Sequence, residues 1–367
     1  MCSRAARALA AALLVLTLGQ PARGSVSDDA SLYARPGKLV SVGGRELNMY
    51  CMGSGTPTVV LDAGLGDWAP AWIATQRAVA TFTRVCAYDR AGYGFSGPGP
   101  FPRTHLRIAR ELHAMLASGG IEHPYVLAGH SFGGTDVQLF ADLYPKEVVG
   151  LLLVDAIPAG TGRSLPGSSL DAYPREMGRC ADGARRQTLE ANHKLFARCF
   201  TDAFEDATPS QLRLERSSVA LRASFLKLAK QPKQYLAIGS ESQSESRASV
   251  AAGEQQQQRG LYPLGDLPII VLTSTRTIFA HELLGFGLSP RDAQLFASAY
   301  IKLEDGLPLL SSKSRRVIAK RSGHYIQADE PNLVISSIRA PELVKRFGTG
   351  SWRKIVCAHA AALSSVG

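Results

Sequence analysis

Residues 129–133 read Gly-His-Ser-Phe-Gly and stand between two strongly patterned stretches. The apolar run 125–128 precedes them, and a helical pattern over 134–143 follows. A strand that enters a helix through Gly-x-Ser-x-Gly turns so tightly that side chains two residues either side of the serine would clash, and glycine removes them. The pattern therefore predicts that Ser131 sits strained and exposed at the carboxyl end of a strand. The alternative is an ordinary glycine-rich turn.

Length and composition describe an ordinary globular protein. The chain has 367 residues, of which 45% are hydrophobic and 20% are charged. This is enough for one large α/β domain with an insertion, or for two small domains. The formal net charge is +10, yet the basic residues are scattered, and the densest group, at 313–316, precedes a predicted strand. We therefore expect no nucleic-acid binding, while attraction to acidic surfaces or substrates stays open.

The N-terminus has the layout of an export signal. Arg4 and Arg7 supply positive charge, residues 8–18 are apolar apart from one threonine, and small residues lie just before and at Gly24. The apolar stretch is well short of the ~20 residues that a spanning helix needs. We therefore predict a signal peptide over residues 1–24, no stable membrane insertion, and export to the periplasm or the medium.

The cysteines fit such a location. Six cysteines become five when Cys2 leaves with the signal, and an oxidising compartment permits disulfides. Cys180 and Cys199 lie close together in a region without strand patterns and form the favoured pair, with buried free thiols as the alternative. Because no Cys-x-x-Cys or Cys/His spacing is present, we expect no metal.

Strand and helix patterns alternate through most of the chain. Residues 39–52 alternate apolar and polar around a Gly-Gly pair, which predicts a hairpin. Residues 148–154 are continuously apolar, which predicts a fully buried parallel strand. Further strands are predicted at 58–61, 83–88, 125–128, 267–273 and 316–319, and helices at 71–81, 103–119, 134–143, 290–303 and from 330 onward.

Strand patterns vanish between about 158 and 263, where short helical segments and a glutamine run appear. We interpret this region as a helical cap inserted between two core strands. The alternation elsewhere predicts a mostly parallel sheet with helices on both faces, and sites in such sheets lie at the carboxyl ends of strands. The suggestive residues at predicted strand ends are Gly64, Ser131, Asp155 and His324.

Two further motifs accompany the Gly-x-Ser-x-Gly pattern. Residues 89–94 read Asp-Arg-Ala-Gly-Tyr-Gly and are followed by Ser96, and residues 322–324 read Ser-Gly-His, with Glu-Pro at 330–331. In order and spacing, the three motifs resemble those of the α/β-hydrolase superfamily over about residues 39–347.

The resemblance implies the α/β-hydrolase fold: a mostly parallel eight-stranded sheet with helices on both faces and an inserted helical cap. It also places the second and fourth strands side by side, which pairs Cys51 with Cys86 and leaves Cys357 as the odd cysteine. We divide the chain into a signal peptide at 1–24, core at 38–157, cap at 158–263, core at 264–347 and a tail at 348–367.

Within that resemblance Ser131 is the nucleophile and His324 is the base. A serine hydroxyl is a poor nucleophile until a base removes its proton, and histidine exchanges protons near neutral pH. His324 follows a predicted strand and two small residues, although a surface-loop histidine is the alternative. His130 is expected to pack or hydrogen-bond beneath the turn.

The third member of the triad is a carboxylate that orients the histidine. The superfamily usually carries it after the strand that follows the cap, where this chain has no acid at 274–276. Some members, including certain haloalkane dehalogenases, carry it after the preceding strand, which is Asp155 here. We assign Asp155, and the fallbacks are Asp292, Glu304 and Asp305.

Two backbone N–H groups should form the oxyanion hole, and the resemblance assigns them to Phe132 and Leu65. Relatives usually have His-Gly before the second donor, whereas this chain has Ala-Gly at 63–64. Since only backbone is used, the missing histidine need not impair the site. Arg90 is expected to brace loops rather than to react, and Trp68 either lines the pocket or packs.

These residues predict an exported serine hydrolase that cleaves a small-molecule carboxylic ester through an acyl-enzyme, without a cofactor. A serine nucleophile argues against dehalogenase and epoxide hydrolase chemistry, which use aspartate in this fold. The alternatives are lactone, C–C or perhydrolase chemistry on the same triad, or a non-catalytic binding protein on this fold. Substrate identity and oligomeric state do not follow from the sequence.

Overall fold

Eight strands form one sheet in the order β1-β2-β4-β3-β5-β6-β7-β8 in a computed structural model of the chain. The structure describes residues 30–160, 168–188, 199, 218–228, 230–243, 247–285 and 289–344. β1 and β2 pair antiparallel, as do β2 and β4, and all other pairs are parallel. The strands are β1 Lys38–Val42, β2 Arg45–Met52, β3 Thr58–Asp62, β4 Val85–Tyr88, β5 Tyr125–His130, β6 Val148–Val154, β7 Ile269–Thr273 and β8 Ser314–Ile318.

The sequence patterns explain this arrangement. β3 to β7 are buried on both faces, as continuous apolar runs require, while β1 and β8 at the sheet edges are partly exposed. The predicted hairpin is formed by β1 and β2, and both turn glycines, Gly43 and Gly44, have positive φ. The predicted mostly parallel, eight-stranded α/β fold is confirmed.

Helices cover both faces of the sheet and fill the region between β6 and β7. Thr104 caps α2 by accepting from the Arg107 N–H, and Pro290 occupies the first turn of α9. The helices are α1 Ile73–Ala80, α2 His105–Ser118, α3 Phe132–Leu143, α4 Ser168–Arg185, α5 Val219–Leu228, α6 Pro232–Ser242, α7 Arg247–Gln258, α8 Arg276–Gly285, α9 Pro290–Glu304, α10 Ile326–Asp329, α11 Pro331–Ile338 and α12 Pro341–Val344.

Two helices outside the cap region were not predicted, the short α10 and the longer α8. α8 follows β7 almost directly and packs against α9, although the sequence analysis marked only α9. Its buried residues Phe279 and Ala280 join Ala293, Ala297 and Tyr300 of α9 in a small apolar cluster. Helices α8 and α9 therefore form a hairpin that stands beside the carboxyl ends of β6 and β7.

Four described helices, α4 to α7, lie between β6 and β7, and α4 packs against α6. The boundaries of the predicted core and cap segments stay predictions. The predicted signal peptide and C-terminal tail lie outside the described residues. Within the part that is described, no helix has both the length and the apolar character to cross a bilayer.

Both predicted disulfides are present. Cys51 and Cys86 are directly opposite residues of the antiparallel strands β2 and β4, so the sheet itself brings their sulfurs together. Cys180, on α4, bonds to Cys199. Two such bonds indicate an oxidising compartment.

Candidate active site

Ser131 occupies the junction between β5 and α3 with φ 50° and ψ −117°. Few non-glycine residues adopt such a conformation, and the neighbouring glycines explain how the chain tolerates it here. A Cβ on Gly129 would lie 2.4 Å from the Gly133 carbonyl oxygen, and a Cβ on Gly133 would lie 2.5 Å from the Ala63 oxygen. The predicted tight turn is therefore present, with its serine partly exposed.

Asp155 stands at the corresponding position after β6. β5 and β6 run side by side with His130 opposite Val154, so Ser131 and Asp155 each follow a paired residue. The Asp155 side chain is buried and accepts from the Ser274 N–H at 2.6 Å and the Ser274 hydroxyl at 3.1 Å. Two donors from the loop after β7 thus hold this carboxylate in one orientation.

His324 is the third partner of the same carboxylate. Its Nδ1 lies 2.7 Å from Asp155 Oδ2, and its side chain is 17% exposed while that of Asp155 is 0% exposed. A histidine held by a carboxylate at Nδ1 turns Nε2 toward its reaction partner. The structure therefore brings together Asp155 and His324, which are 169 residues apart in the sequence.

Aromatic rings fix the plane of the His324 imidazole. Phe279 stacks on it with 4.9 Å between centroids and 12° between planes, and Tyr300 meets it edge-on at 5.5 Å. His130 lies on another side, with 4.7 Å between centroids. Its Nε2 is 2.9 Å from the His324 carbonyl oxygen, so that nitrogen is the donor. Burial lowers the pKa of His130 well below its usual value, and the ring is neutral.

The loop after β3 carries the second predicted oxyanion donor, Leu65. The Phe132 N–H is the first of α3 and has no partner within the helix, and no protein acceptor occurs for the Leu65 N–H among the described residues. A Cβ on Gly64 would meet His130 Nδ1 at 2.9 Å, so glycine is needed here for His130 to pack beneath the loop.

Arg90 fixes the loop after β3 by hydrogen bonds to its backbone. Its guanidinium donates to the Ala63 carbonyl at 2.5 Å and the Gly64 carbonyl at 2.6 Å. The same group pairs with Asp62 at 3.0 Å and with Glu241 of α6 at 3.1 Å. This confirms the bracing role expected of Arg90. We call the buried group made of Asp62, Arg90, Tyr93 and Glu241 the anchor cluster.

The other predicted residues lie elsewhere. Asp292 accompanies the Ser289 cap in the first turn of α9, and Asp305 pairs with Arg316 at the exposed end of that helix. Glu304 is buried, and its Oε2 lies 3.9 Å from Arg316 Nη2. Burial raises the pKa of Glu304 well above its usual value. Trp68 packs against Phe95 and Phe225 in the core.

The sequence analysis missed Phe279, Tyr300 and Glu241. Tyr300 lies on the buried face of α9 with Ala293 and Ala297, where an aromatic side chain is typical of core packing and gives no signal of a site residue. Glu241 comes from the region without recognisable motifs. Among the described residues, no group of three or more His, Cys, Asp or Glu side chains could hold a metal ion.

Comparisons with known proteins identify the family of the chain. A family model described as the alpha/beta hydrolase fold matches residues 57–331. An AB hydrolase superfamily protein of Gibberella zeae is 28% identical over 295 residues, covering 77% of this chain and 85% of its own. A putative carbamate hydrolase, RutD, of Azorhizobium caulinodans is 35% identical over 113 residues, which are 31% of this chain and 42% of that protein.

Solved structures give the same architecture at low identity. An esterase of Thermogutta terrifontis matches with a TM-score of 0.53 and 19% identity, over 82% of this chain and 96% of that one. A putative epoxide hydrolase of Pseudomonas aeruginosa matches with a TM-score of 0.56 and 16% identity, over 82% and 93%. At such identities the likeness concerns the fold alone.

Proposed function

Because the chain belongs to the α/β-hydrolase fold family, we propose that it is an exported serine hydrolase that cleaves carboxylic esters through an acyl-enzyme. The observation that carries the proposal is the 2.7 Å contact between the Asp155 carboxylate and His324 Nδ1, beside a serine held in a strained turn. Ser131, His324 and Asp155 also occur in the chain order Ser…Asp…His that this fold uses.

In the proposed reaction, Ser131 Oγ attacks the ester carbonyl while His324 Nε2 takes the serine proton. Asp155 accepts the Nδ1–H bond and stabilises the imidazolium that forms. The N–H groups of Leu65 and Phe132 stabilise the oxyanion. His324 then gives its proton to the leaving alkoxide, and the alcohol departs. Water, activated by the same histidine, hydrolyses the acyl-enzyme and restores Ser131.

The assignment of an ester substrate depends on serine being the nucleophile. Epoxide hydrolase chemistry in this fold uses an aspartate nucleophile, which this chain does not have at the turn. A carbamate is attacked at the same kind of carbonyl, and one partial relative carries that name. Carbamates, lactones and C–C substrates therefore belong in the test panel beside esters.

The test is hydrolysis of p-nitrophenyl esters of increasing acyl length, with Ser131→Ala as the paired variant and a phosphonate probe that labels reactive serines. We expect ester turnover by the wild type, labelling at Ser131, and a loss of at least about 10³-fold in the variant. Labelling of Ser131 without ester turnover would favour carbamates, lactones or C–C substrates over esters. Absence of labelling at Ser131 would favour a binding protein.

Export is the second part of the proposal. Two disulfides support an oxidising compartment, and cleavage after Gly24 would remove three arginines and no acids, lowering the formal charge from +10 to +7. The intact mass of the protein recovered from outside the cytoplasm should begin at Ser25. A mature chain that begins elsewhere would contradict this site.

A further inference from the structure

Tyr300 points its hydroxyl into the candidate active site from α9. The residue is 5% exposed, and its hydroxyl donates to the Asp155 carbonyl oxygen at 2.6 Å. Its ring lies edge-on to the His324 imidazole, with 5.5 Å between centroids. Tyr300 therefore contacts two of the three residues proposed to react, Asp155 through its hydroxyl and His324 through its ring.

The turn that this bond holds has a strained backbone. Asp155 has φ 44° and Ser131, which follows the neighbouring strand, has φ 50°, and both are non-glycine residues at positive φ. Such conformations are costly and persist only where neighbouring contacts hold them. The bond from Tyr300 to the Asp155 carbonyl is a contact of that kind, because it fixes the turn after β6.

The tyrosine ring is held as firmly as its hydroxyl. It meets Phe279 edge-on at 5.3 Å and the His324 imidazole edge-on at 5.5 Å. Burial raises the pKa of the hydroxyl well above its usual value, and the Asp155 charge acts in the same direction. The phenol therefore stays protonated through the neutral range and remains a donor.

We propose that Tyr300 is a positioning residue for the proposed hydrolysis, whose hydroxyl fixes the Asp155 turn and whose ring packs against His324. The inference rests on the proposed function. Because the hydroxyl holds the Asp155 turn, the carboxylate that orients His324 stays in place, and the imidazole stays aligned for the Ser131 proton.

The experiment compares Tyr300→Phe with Tyr125→Phe. Both wild-type tyrosines are buried and donate to a backbone carbonyl at 2.6 Å, Tyr125 to Ile121, so both variants lose the same kind of bond and keep the ring. A net hydrogen bond of about 0.5–1.5 kcal/mol corresponds to about two- to tenfold. We expect Tyr300→Phe to lose about three- to tenfold in kcat with KM within about twofold.

Tyr125→Phe should lower the melting temperature similarly and leave kcat unchanged. The rate constant for phosphonate labelling of Ser131 should fall in Tyr300→Phe by the same factor as kcat, because it reports the nucleophile without the substrate's leaving group. Equal kcat and labelling rates in the two variants would overturn the proposal, as would a loss confined to KM.

Ser131→Ala separates this inference from the proposal beneath it. If wild-type Ser131 is labelled and Ser131→Ala is inactive, while Tyr300→Phe behaves as Tyr125→Phe does, only the role of Tyr300 fails. If Ser131→Ala retains ester turnover, the proposed function fails and the positioning role fails with it.

Discussion

Two clusters of polar side chains lie at the carboxyl ends of the strands and differ in how far their charged groups are exposed to solvent. One is the anchor cluster. The other, which we call the relay cluster, consists of Ser131, Asp155, Tyr300 and His324. In the anchor cluster the side chains of Arg90, Asp62 and Glu241 are 2%, 1% and 0% exposed. In the relay cluster His324 keeps 17% exposure.

The difference follows from what each group is proposed to do. A proton relay needs one member that changes charge during the reaction and reaches both the substrate and water, which His324 satisfies. A brace needs a cation that stays charged. Burial by itself would lower the pKa of the Arg90 guanidinium, but the attraction of Glu241 and Asp62 holds that pKa well above its usual value. The relay cluster should therefore control rate, and the anchor cluster should control stability and loop position.

The largest expected effect is on rate, in Asp155→Asn. An amide at this position cannot stabilise the imidazolium and favours the wrong histidine tautomer, so kcat should fall by about 10⁴-fold. The melting temperature should change little, because the Asn carbonyl oxygen still accepts from the Ser274 N–H.

Ester hydrolysis at saturating substrate measures this loss. Asp182→Asn, at an exposed position paired with Arg185, controls for removal of a carboxylate. Near wild-type kcat in Asp155→Asn would place the acid elsewhere and would bring Glu304 forward, because it is a buried carboxylate on α9.

The next effect is on stability, in Glu241→Gln. Removing one charge of a buried pair leaves the other uncompensated, and the free energy of unfolding should fall by about 3 kcal/mol. Under conditions where the protein stays folded, kcat should remain within about threefold, because Asp62 still holds Arg90.

Urea unfolding measures this change. Glu342→Gln is a matched control, since Glu342 also pairs with an arginine, Arg315, but both side chains are more than 40% exposed. Its effect should stay below about 1 kcal/mol. Equal effects in the two variants would remove the distinction between a brace and a surface pair.

A third effect lies where the two clusters meet, in Gly64→Ala. The added Cβ would approach His130 Nδ1 at 2.9 Å and Cε1 at 3.2 Å, which pushes the loop that carries Leu65. We expect kcat to fall by about tenfold, since an oxyanion donor that moves loses part of its stabilisation. Gly178→Ala, where a Cβ meets nothing within 4 Å, should leave kcat unchanged. Normal kcat in Gly64→Ala would contradict the assigned donor loop.

The last effect is a pH dependence at Asp67, beside both clusters. Burial raises the pKa of Asp67 to about 7, against the attraction of Arg90 and His324. The folded protein then holds a proton that the unfolded chain loses near its ordinary pKa of about 3.9. Between these values the folded state binds more protons, so this group's contribution to stability falls as pH rises from about 4 to 7.

Asp67→Asn cannot titrate. Its stability relative to wild type should therefore increase from pH 5 to pH 8, as measured by urea unfolding at both values. Asp266→Asn, at an exposed position, controls for the loss of a carboxylate. A difference between Asp67→Asn and wild type that is independent of pH would contradict the raised pKa.

Much of the fold and part of the site follow from local patterns. The turn around Ser131 was predicted because glycine is sterically required at both flanking positions, and the structure shows the close contacts that demand it. The sheet was predicted because apolar runs and helical periods alternate. The family resemblance is confirmed, and it correctly paired Cys51 with Cys86 because the strand order of a fold is a property of the family.

Other features depend on packing between distant segments. Arg90 and Glu241 are 151 residues apart, and Tyr300 and Asp155 are 145 apart. Nothing in the pattern of α9 separates a tyrosine that fills the core from one that bonds the Asp155 carbonyl, because both occupy the same buried face. The amino-acid sequence determined which strands end in reactive side chains. Only the tertiary structure decided which hydroxyl, carboxylate and ring meet there, since hydrogen bonds depend on tenths of an ångström that periodicity does not encode.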